Sequence, residues 1–209
     1  MKFSLSYPVT PVYFIQKFGE NPQMYADPKY GGVVGHNGID FNTGHGQPVY
    51  ASHDGLASYQ VDGGGGHGVV IVTDTEFDYL SGKAYFKSIY WHLADGLKEP
   101  KFASPIAHIT GFIPVKAGQI IGYADNTGAS TGDHLHFGLK PVRHEGAGVY
   151  SNIESNNGYL GAIDPMPYFQ NVQILQDQLT ATQIKLIDVL KIFANYLRSK
   201  IPQKNQATP

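Results

Sequence analysis

Two short stretches concentrate residues that can bind a metal or move a proton. The first is Gly35-His36-Asn37-Gly38-Ile39-Asp40 and the second is Gly132-Asp133-His134-Leu135-His136-Phe137. In a β-strand, residues i and i+2 share a face. His134 and His136 would then stand side by side, with Leu135 and Phe137 turned to the core. One imidazole of such a pair can ligate a metal while its neighbour handles a proton. His36 and Asp40 are four apart with Gly38 between them. The glycine favours a loop entering a strand, from which both side chains could converge on one ion. Two imidazoles and one carboxylate form a ligand set that suits zinc. Three protein ligands leave a fourth position for water, the arrangement of a catalytic rather than a structural site. A third element, Tyr90-Trp91-His92-Leu93, supplies a further histidine. The remaining histidines, His45, His53, His67, His108 and His144, fall in or beside turn-like segments, where solvated side chains are expected. His67 follows the glycine run 63–66 and reads as part of a surface loop.

The elements that must position these groups are strands. The chain has 209 residues with 25 Gly, 13 Pro, 14 Tyr and 11 Phe, which indicates a turn-rich β protein. Strand patterns run over 48–52, 56–61, 69–73, 84–91, 119–124 and 134–140. Asp54-Gly55, Ser81-Gly82 and Thr127-Gly128 mark turns between them. Such spacing, without intervening helical patterns, predicts a mostly β fold with a compact antiparallel sheet or sandwich core. The composition changes near residue 170. Residues 1–169 hold 10 basic and 15 acidic side chains, net −5, whereas 170–209 hold 5 and 2, net +3, with no Gly and no His. Leu175, Leu179, Leu186, Leu190, Phe193 and Leu197 recur at helical spacing, predicting a C-terminal α-helix over 172–201. Its apolar face, widened by Ile184, Ile187, Val189 and Ile192, calls for a partner, through docking or self-association. The expected domains are therefore 1–169 and a helical extension, 170–209.

Composition also excludes function classes. With no cysteine, thiolate metal sites and Cys nucleophiles are out. A net charge of −2 with 15% charged residues does not suit a nucleic-acid binder held by phosphate contacts. No stretch has the length and apolarity of a transmembrane helix. The first twenty residues contain two prolines that interrupt any apolar run, so no signal peptide is expected in this chain.

The ordered set of motifs resembles the lysostaphin/LytM-type zinc endopeptidases, which cleave peptidoglycan peptides. The stretches are His36-Asn37-Gly38-Ile39-Asp40-Phe41, Pro48-Val49-Tyr50-Ala51, Asp54-Gly55, Tyr90-Trp91-His92-Leu93, Val115 to Gly122, Thr127-Gly128, and Thr131-Gly132-Asp133-His134-Leu135-His136-Phe137. They span residues 15 to 169 in the family's order. The resemblance implies one zinc per chain held by His36, Asp40 and His136, with His92 and His134 as metal-free catalytic histidines. It places Tyr30 near the scissile carbonyl. It also implies a peptidoglycan peptide substrate and action at the cell wall, whether periplasmic, extracellular or phage-delivered. The competing readings are a non-catalytic wall-binding or regulatory member of the same fold, and a phosphocarrier domain with two active histidines. The intact set of five residues weighs against the first, and the Asp40 element against the second.

Overall fold

The longest strand, β10 (His134–Gly146), carries the alternation on which everything else depends. Leu135, Phe137 and Leu139 are fully buried, while His134, His136 and Lys140 are half-buried on the opposite face. β10 pairs antiparallel with β2 (Ile39–Asn42) on one side and β7 (Gly82–Trp91) on the other. The register sets His136 between Asp40 and Trp91. The computed structural model describes residues 1–28, 31–107 and 109–170. The helix expected over 172–201, with its docking role, lies outside the described residues, as do Tyr30 and His108.

The main sheet continues outward on both sides. Its order is β1 (Phe14–Gln16), β2, β10, β7, β5 (His67–Val72), β4 (Gly55–Val61) and β8 (Ile113–Val115). β6 (Phe77–Tyr79) adds to β7, and β11 (Val149–Asn152) adds to β10. A second, two-stranded sheet joins β3 (Pro48–Tyr50) to β9 (Ile120–Tyr123). Every strand pairing is antiparallel. The one α-helical turn among the described residues is α1 (Pro22–Tyr25). No helix among them is long and apolar enough to cross a membrane.

The core lies on the face of the sheet away from the histidines. Phe41, Tyr90, Phe137, Ile39, Leu135 and Leu139 are fully buried there. Burial of each such side chain contributes roughly 1.5–3 kcal/mol. The N-terminal segment and the residues around Met166–Tyr168 close this face together. Leu5 N–H donates to the Tyr168 carbonyl, Phe3 stacks on Phe86 at 4.1 Å, and Tyr7 stacks on Phe169 at 4.5 Å. Residues 1–169 form one compact unit.

The mostly β antiparallel expectation matches this architecture, and each predicted strand overlaps an observed one. Two boundaries moved for physical reasons. β10 runs through Pro141, where the sequence suggested a stop. The Pro141 carbonyl accepts from Ile153 N–H, so its own nitrogen faces that same side, in the gap between β2 and β11, where no ladder donor is required. β5 begins at His67 rather than Val69, so His67 is a buried strand residue and not part of a surface loop.

Candidate metal centre

The register of β2 against β10 puts Asp40 directly across from His136. His36 enters from the loop before β2, which is held by two backbone hydrogen bonds. Gly19 N–H donates to the His36 carbonyl at 2.8 Å, and His36 N–H donates to the Glu20 carbonyl at 2.9 Å. The three side chains meet. His36 Nε2 lies 2.9 Å from His136 Nδ1, and Asp40 Oδ1 lies 3.2 Å and 3.0 Å from those two atoms. His36 is 1% exposed and Asp40 7%.

The donor chemistry of this triangle fits a zinc ion. His36 Nδ1 bonds to the Lys17 carbonyl at 3.2 Å, which places the ring proton there and leaves the Nε2 lone pair facing inward. Ligand atoms about 2.0–2.2 Å from a tetrahedral zinc sit roughly 3.3–3.6 Å apart, a few tenths of an ångström wider than the 2.9–3.2 Å spacings seen here. These three residues could hold one ion. Gly38 is part of the cradle. A Cβ there would come within 2.6 Å of His136 Cε1 and of the Phe137 carbonyl oxygen. Only glycine lets the loop lie flat against the His136 ring.

Electrostatics favour an anionic Asp40. Burial works to raise its pKa, but hydrogen bonds and charge from His136 and His36 outweigh it, so the carboxyl is held far below the usual range. Burial is the first cause that lowers the pKa of His136, opposed by its bond to Asp40. Both shifts leave the pair in the protonation state that a metal requires.

Two more imidazoles face the same cleft. His92 follows β7 and is held at φ 63°, a left-handed conformation that non-glycine residues rarely adopt. Its Nδ1–H donates to the Thr127 carbonyl at 2.7 Å, and its Nε2 makes no hydrogen bond among the described residues. Burial pushes the pKa of His92 down to about 4, so the ring is neutral at neutral pH. His134 Nδ1 bonds to the Gly132 carbonyl at 2.8 Å, and its Nε2 points inward, 3.8 Å from Asp40 Oδ1. The His92 and His134 rings lie 4.6 Å apart between centroids. The cleft enclosing these groups has a volume of about 500 Å³.

All five residues read from the two clusters and the Tyr90–Leu93 element therefore converge. Sequence reasoning missed Tyr25, which lines the cleft and stacks on His36 at 5.2 Å. Burial and the Asp40 charge push its phenol up to about 12, so it remains protonated. Its position at the end of α1, eleven residues before His36, carries no periodic signal that could have revealed it. Among the other histidines, His45 and His144 are exposed, as expected. His53 is not solvated. It is 6% exposed, donating from Nδ1 to the Asp54 carbonyl at 2.8 Å, with Nε2 2.8 Å from Ser88 Oγ. His67 is likewise buried, with Nδ1 2.6 Å from the Tyr59 hydroxyl.

The chain is similar to several known peptidases. The peptidoglycan DD-endopeptidase ShyB of Vibrio cholerae is 36% identical over 135 residues, covering 63% of this chain and 26% of that protein. The glycyl-glycine endopeptidase ALE-1 of Staphylococcus capitis is 32% identical over 139 residues, covering 65% of this chain and 29% of the other. The chain thus spans less than a third of the length of these relatives. Among solved structures, a zinc-containing peptidase from Vibrio cholerae superposes with a TM-score of 0.50 at 27% identity, covering 79% of this chain and 40% of that one. Residues 34–151, which include all five converging residues and more than half of the sequence, match the peptidase family M23, and the chain belongs to that family.

Proposed function

We propose that this chain is a zinc-dependent endopeptidase that hydrolyses peptide bonds of bacterial peptidoglycan. The observation that carries the reading is the triangle of His36 Nε2, Asp40 Oδ1 and His136 Nδ1, flanked by two imidazoles whose Nε2 atoms make no hydrogen bond among the described residues. In this reading His36, Asp40 and His136 hold one zinc. When bound, zinc polarises the scissile carbonyl and makes water more acidic.

The chain's own groups supply the proton traffic. Thr127 and Gly132 fix the Nδ1–H tautomers of His92 and His134, so each ring offers an Nε2 lone pair to the cleft. One Nε2 takes a proton from the water that attacks the carbonyl carbon. A proton then passes to the amine nitrogen as the C–N bond breaks, so water is divided between the two products. Asp40 serves as ligand rather than base, because its carboxylate is held ionised by two histidines. Tyr25 walls the cleft beside His36, and Tyr30 keeps the place near the scissile carbonyl that the family resemblance gives it.

The substrate class follows from the relatives, one named for DD-endopeptidase and one for glycyl-glycine endopeptidase activity. The place of action is then the cell wall. The test is digestion of purified sacculi of known cross-link type, with mass spectrometry of the fragments and zinc analysis of the same protein. Release of cross-link fragments by the zinc-loaded chain, abolished by Asp40→Ala, is the expected result. A zinc-loaded chain that releases nothing from any sacculus type would sink the reading.

A further inference from the structure

The face of the sheet that carries His136 does not end at the metal centre. Along β10, residues 134, 136, 138 and 140 share this face, and along β7 residues 91, 89 and 87 do. The register pairs them as His136 with Trp91, Gly138 with Ile89, and Lys140 with Lys87. The metal cleft is lined by Trp91, Ile89 and Lys140. A second hollow of about 470 Å³ is lined by the same Trp91 and Ile89 and continues to Lys87, Phe112 and Tyr150. The two hollows thus adjoin along Trp91 and Ile89 as one groove across the sheet, with Lys140 lining the part over β2 and β10 and Lys87 the part over β4, β5 and β7. A Cβ at Gly138 would meet the Ile89 side chain at 3.4 Å. The Trp91 indole lies flat over Gly68, where a Cβ would strike the ring.

Two lysines directly opposite each other on an antiparallel pair are mutually repulsive. An ordinary surface places a carboxylate beside them. Among the described residues, neither Lys87 nor Lys140 forms an ion pair, although Lys83, Lys98 and Lys116 each do. Lys140 Nζ donates to the Leu160 carbonyl at 2.7 Å, which satisfies one proton and none of the charge. The only acid lining the second hollow among the described residues, Asp62, accepts from Gly64 and Gly66 N–H at 2.8 Å and from Trp91 Nε1 at 3.3 Å. It is occupied with its own loop. Burial lowers the pKa of both lysines, and for Lys140 the charge of Lys87 adds to this. The cost of keeping these two charges together in a groove is recovered when an anion binds between them.

We propose that Lys87 and Lys140 form a carboxylate-binding subsite of the groove, which selects peptides carrying a free carboxylate on one side of the scissile bond. This rests on the hydrolase reading above. Lys140 lies four positions after His136 on β10, about 14 Å along the strand. An extended peptide rises about 3.4 Å per residue, so that span puts the carboxylate about four residues from the bond that is cut. An uncharged glycine bridge offers nothing to this subsite. A stem peptide with an unamidated side-chain or terminal carboxylate does.

The sole tryptophan, Trp91, stands between the metal centre and the lysines, so its fluorescence reports occupancy of the groove without requiring turnover. The test uses the full zinc-loaded chain and blocked glycine peptides carrying one D- or L-Glu at successive positions, each against its Gln twin. A further pair compares a free with an amidated C-terminus, distinguishing a side-chain from a terminal carboxylate. Binding is read from Trp91 emission by stopped flow before turnover, and cleavage is read separately. At one register the carboxylate peptide is expected to bind about tenfold or more tightly than its amide twin. Lys87→Met/Lys140→Met should erase that preference, and Lys87→Arg/Lys140→Arg should keep it. Equal binding of every pair to the unmodified chain, or no binding of any peptide, overturns the subsite, as does a preference that survives the double Met substitution. Preferential binding with no cleavage of any peptide or sacculus sinks the hydrolase reading and leaves the subsite standing. Cleavage without preference does the reverse.

Discussion

His92 Nδ1 lies 2.7 Å from the carbonyl oxygen of Thr127, and that bond joins a strained histidine to a loop fixed from two other sides. The Thr127 hydroxyl donates to the Leu93 carbonyl at 2.7 Å and accepts from His67 N–H at 3.1 Å. Leu93 is the residue after His92, so the hydroxyl secures the segment that holds His92 at φ 63°. Thr127→Val removes both hydroxyl bonds at nearly constant volume. Catalytic turnover should fall roughly tenfold to a hundredfold, with KM for a peptide substrate and zinc content unchanged, and Thr127→Ser should restore it. A fall in KM and kcat together, or no rescue by serine, would mean that Thr127 only supports the fold.

The five converging residues should divide by role. His36→Ala, Asp40→Ala and His136→Ala are each expected to lose zinc, measured by atomic absorption after dialysis. His92→Ala and His134→Ala should keep the metal and lose about 10²–10⁴-fold in hydrolysis. A His134→Ala protein that loses zinc while His136→Ala retains it would reverse the assignment of the pair.

His53, which is not among the residues of the candidate metal centre, makes folding stability depend on pH. Burial lowers its pKa to about 4, against an ordinary value of 6.5. The folded state therefore favours the neutral ring, and the unfolded chain binds a proton first as pH falls. The contribution is complete above pH 6.5, declines as pH drops toward 4, and is gone below it. A difference of that size corresponds to about 3 kcal/mol. Urea unfolding of the full chain at pH 7 and pH 4.5 should show a smaller loss of stability for His53→Gln than for the unmodified chain. Equal losses would show that His53 is protonated in the fold without penalty.

Much of this is legible in the sequence because a strand's period is two. The alternation alone sorts His134, Leu135, His136 and Phe137 to two faces, and the fold places them so. The same reasoning fails for His53 and His67. Each lies beside turn residues, and the partner of its ring sits on another strand: Ser88 on β7 for His53 and Tyr59 on β4 for His67. Local pattern carries no record of such partners. Of the short strands, β3 and β9 are legible and β2 is expected as the strand that the loop before Asp40 enters, whereas β1, β6, β8 and β11 escape, since three or four residues display a period only weakly. The facing of Lys87 and Lys140 depends on the register between β7 and β10, which neither strand encodes alone.

Gly38 offers the most local test of how the loop before β2 builds the metal centre. Its backbone lies against both the His136 ring and the Phe137 carbonyl, so an added methyl group would meet Cε1 and that carbonyl at 2.6 Å and Nε2 at 2.8 Å. The carbonyl belongs to β10 where it pairs with β2, and cannot withdraw without breaking the Phe137–Ile39 register. The ring must therefore move, and it is the ring whose Nδ1 completes the triangle with His36 and Asp40. Overpacking of this kind costs about 1–3 kcal/mol in stability, yet its larger effect should fall on metal binding. Gly38→Ala is expected to remain folded by circular dichroism and to bind zinc at least about tenfold more weakly in a chelator competition, since a ligand displaced by a few tenths of an ångström no longer matches the others. Gly63→Ala is the control, because a Cβ at that position meets nothing within 4 Å. Undiminished zinc affinity in Gly38→Ala would show that the His136 ring can shift without cost, and that the loop does not set the geometry of the site.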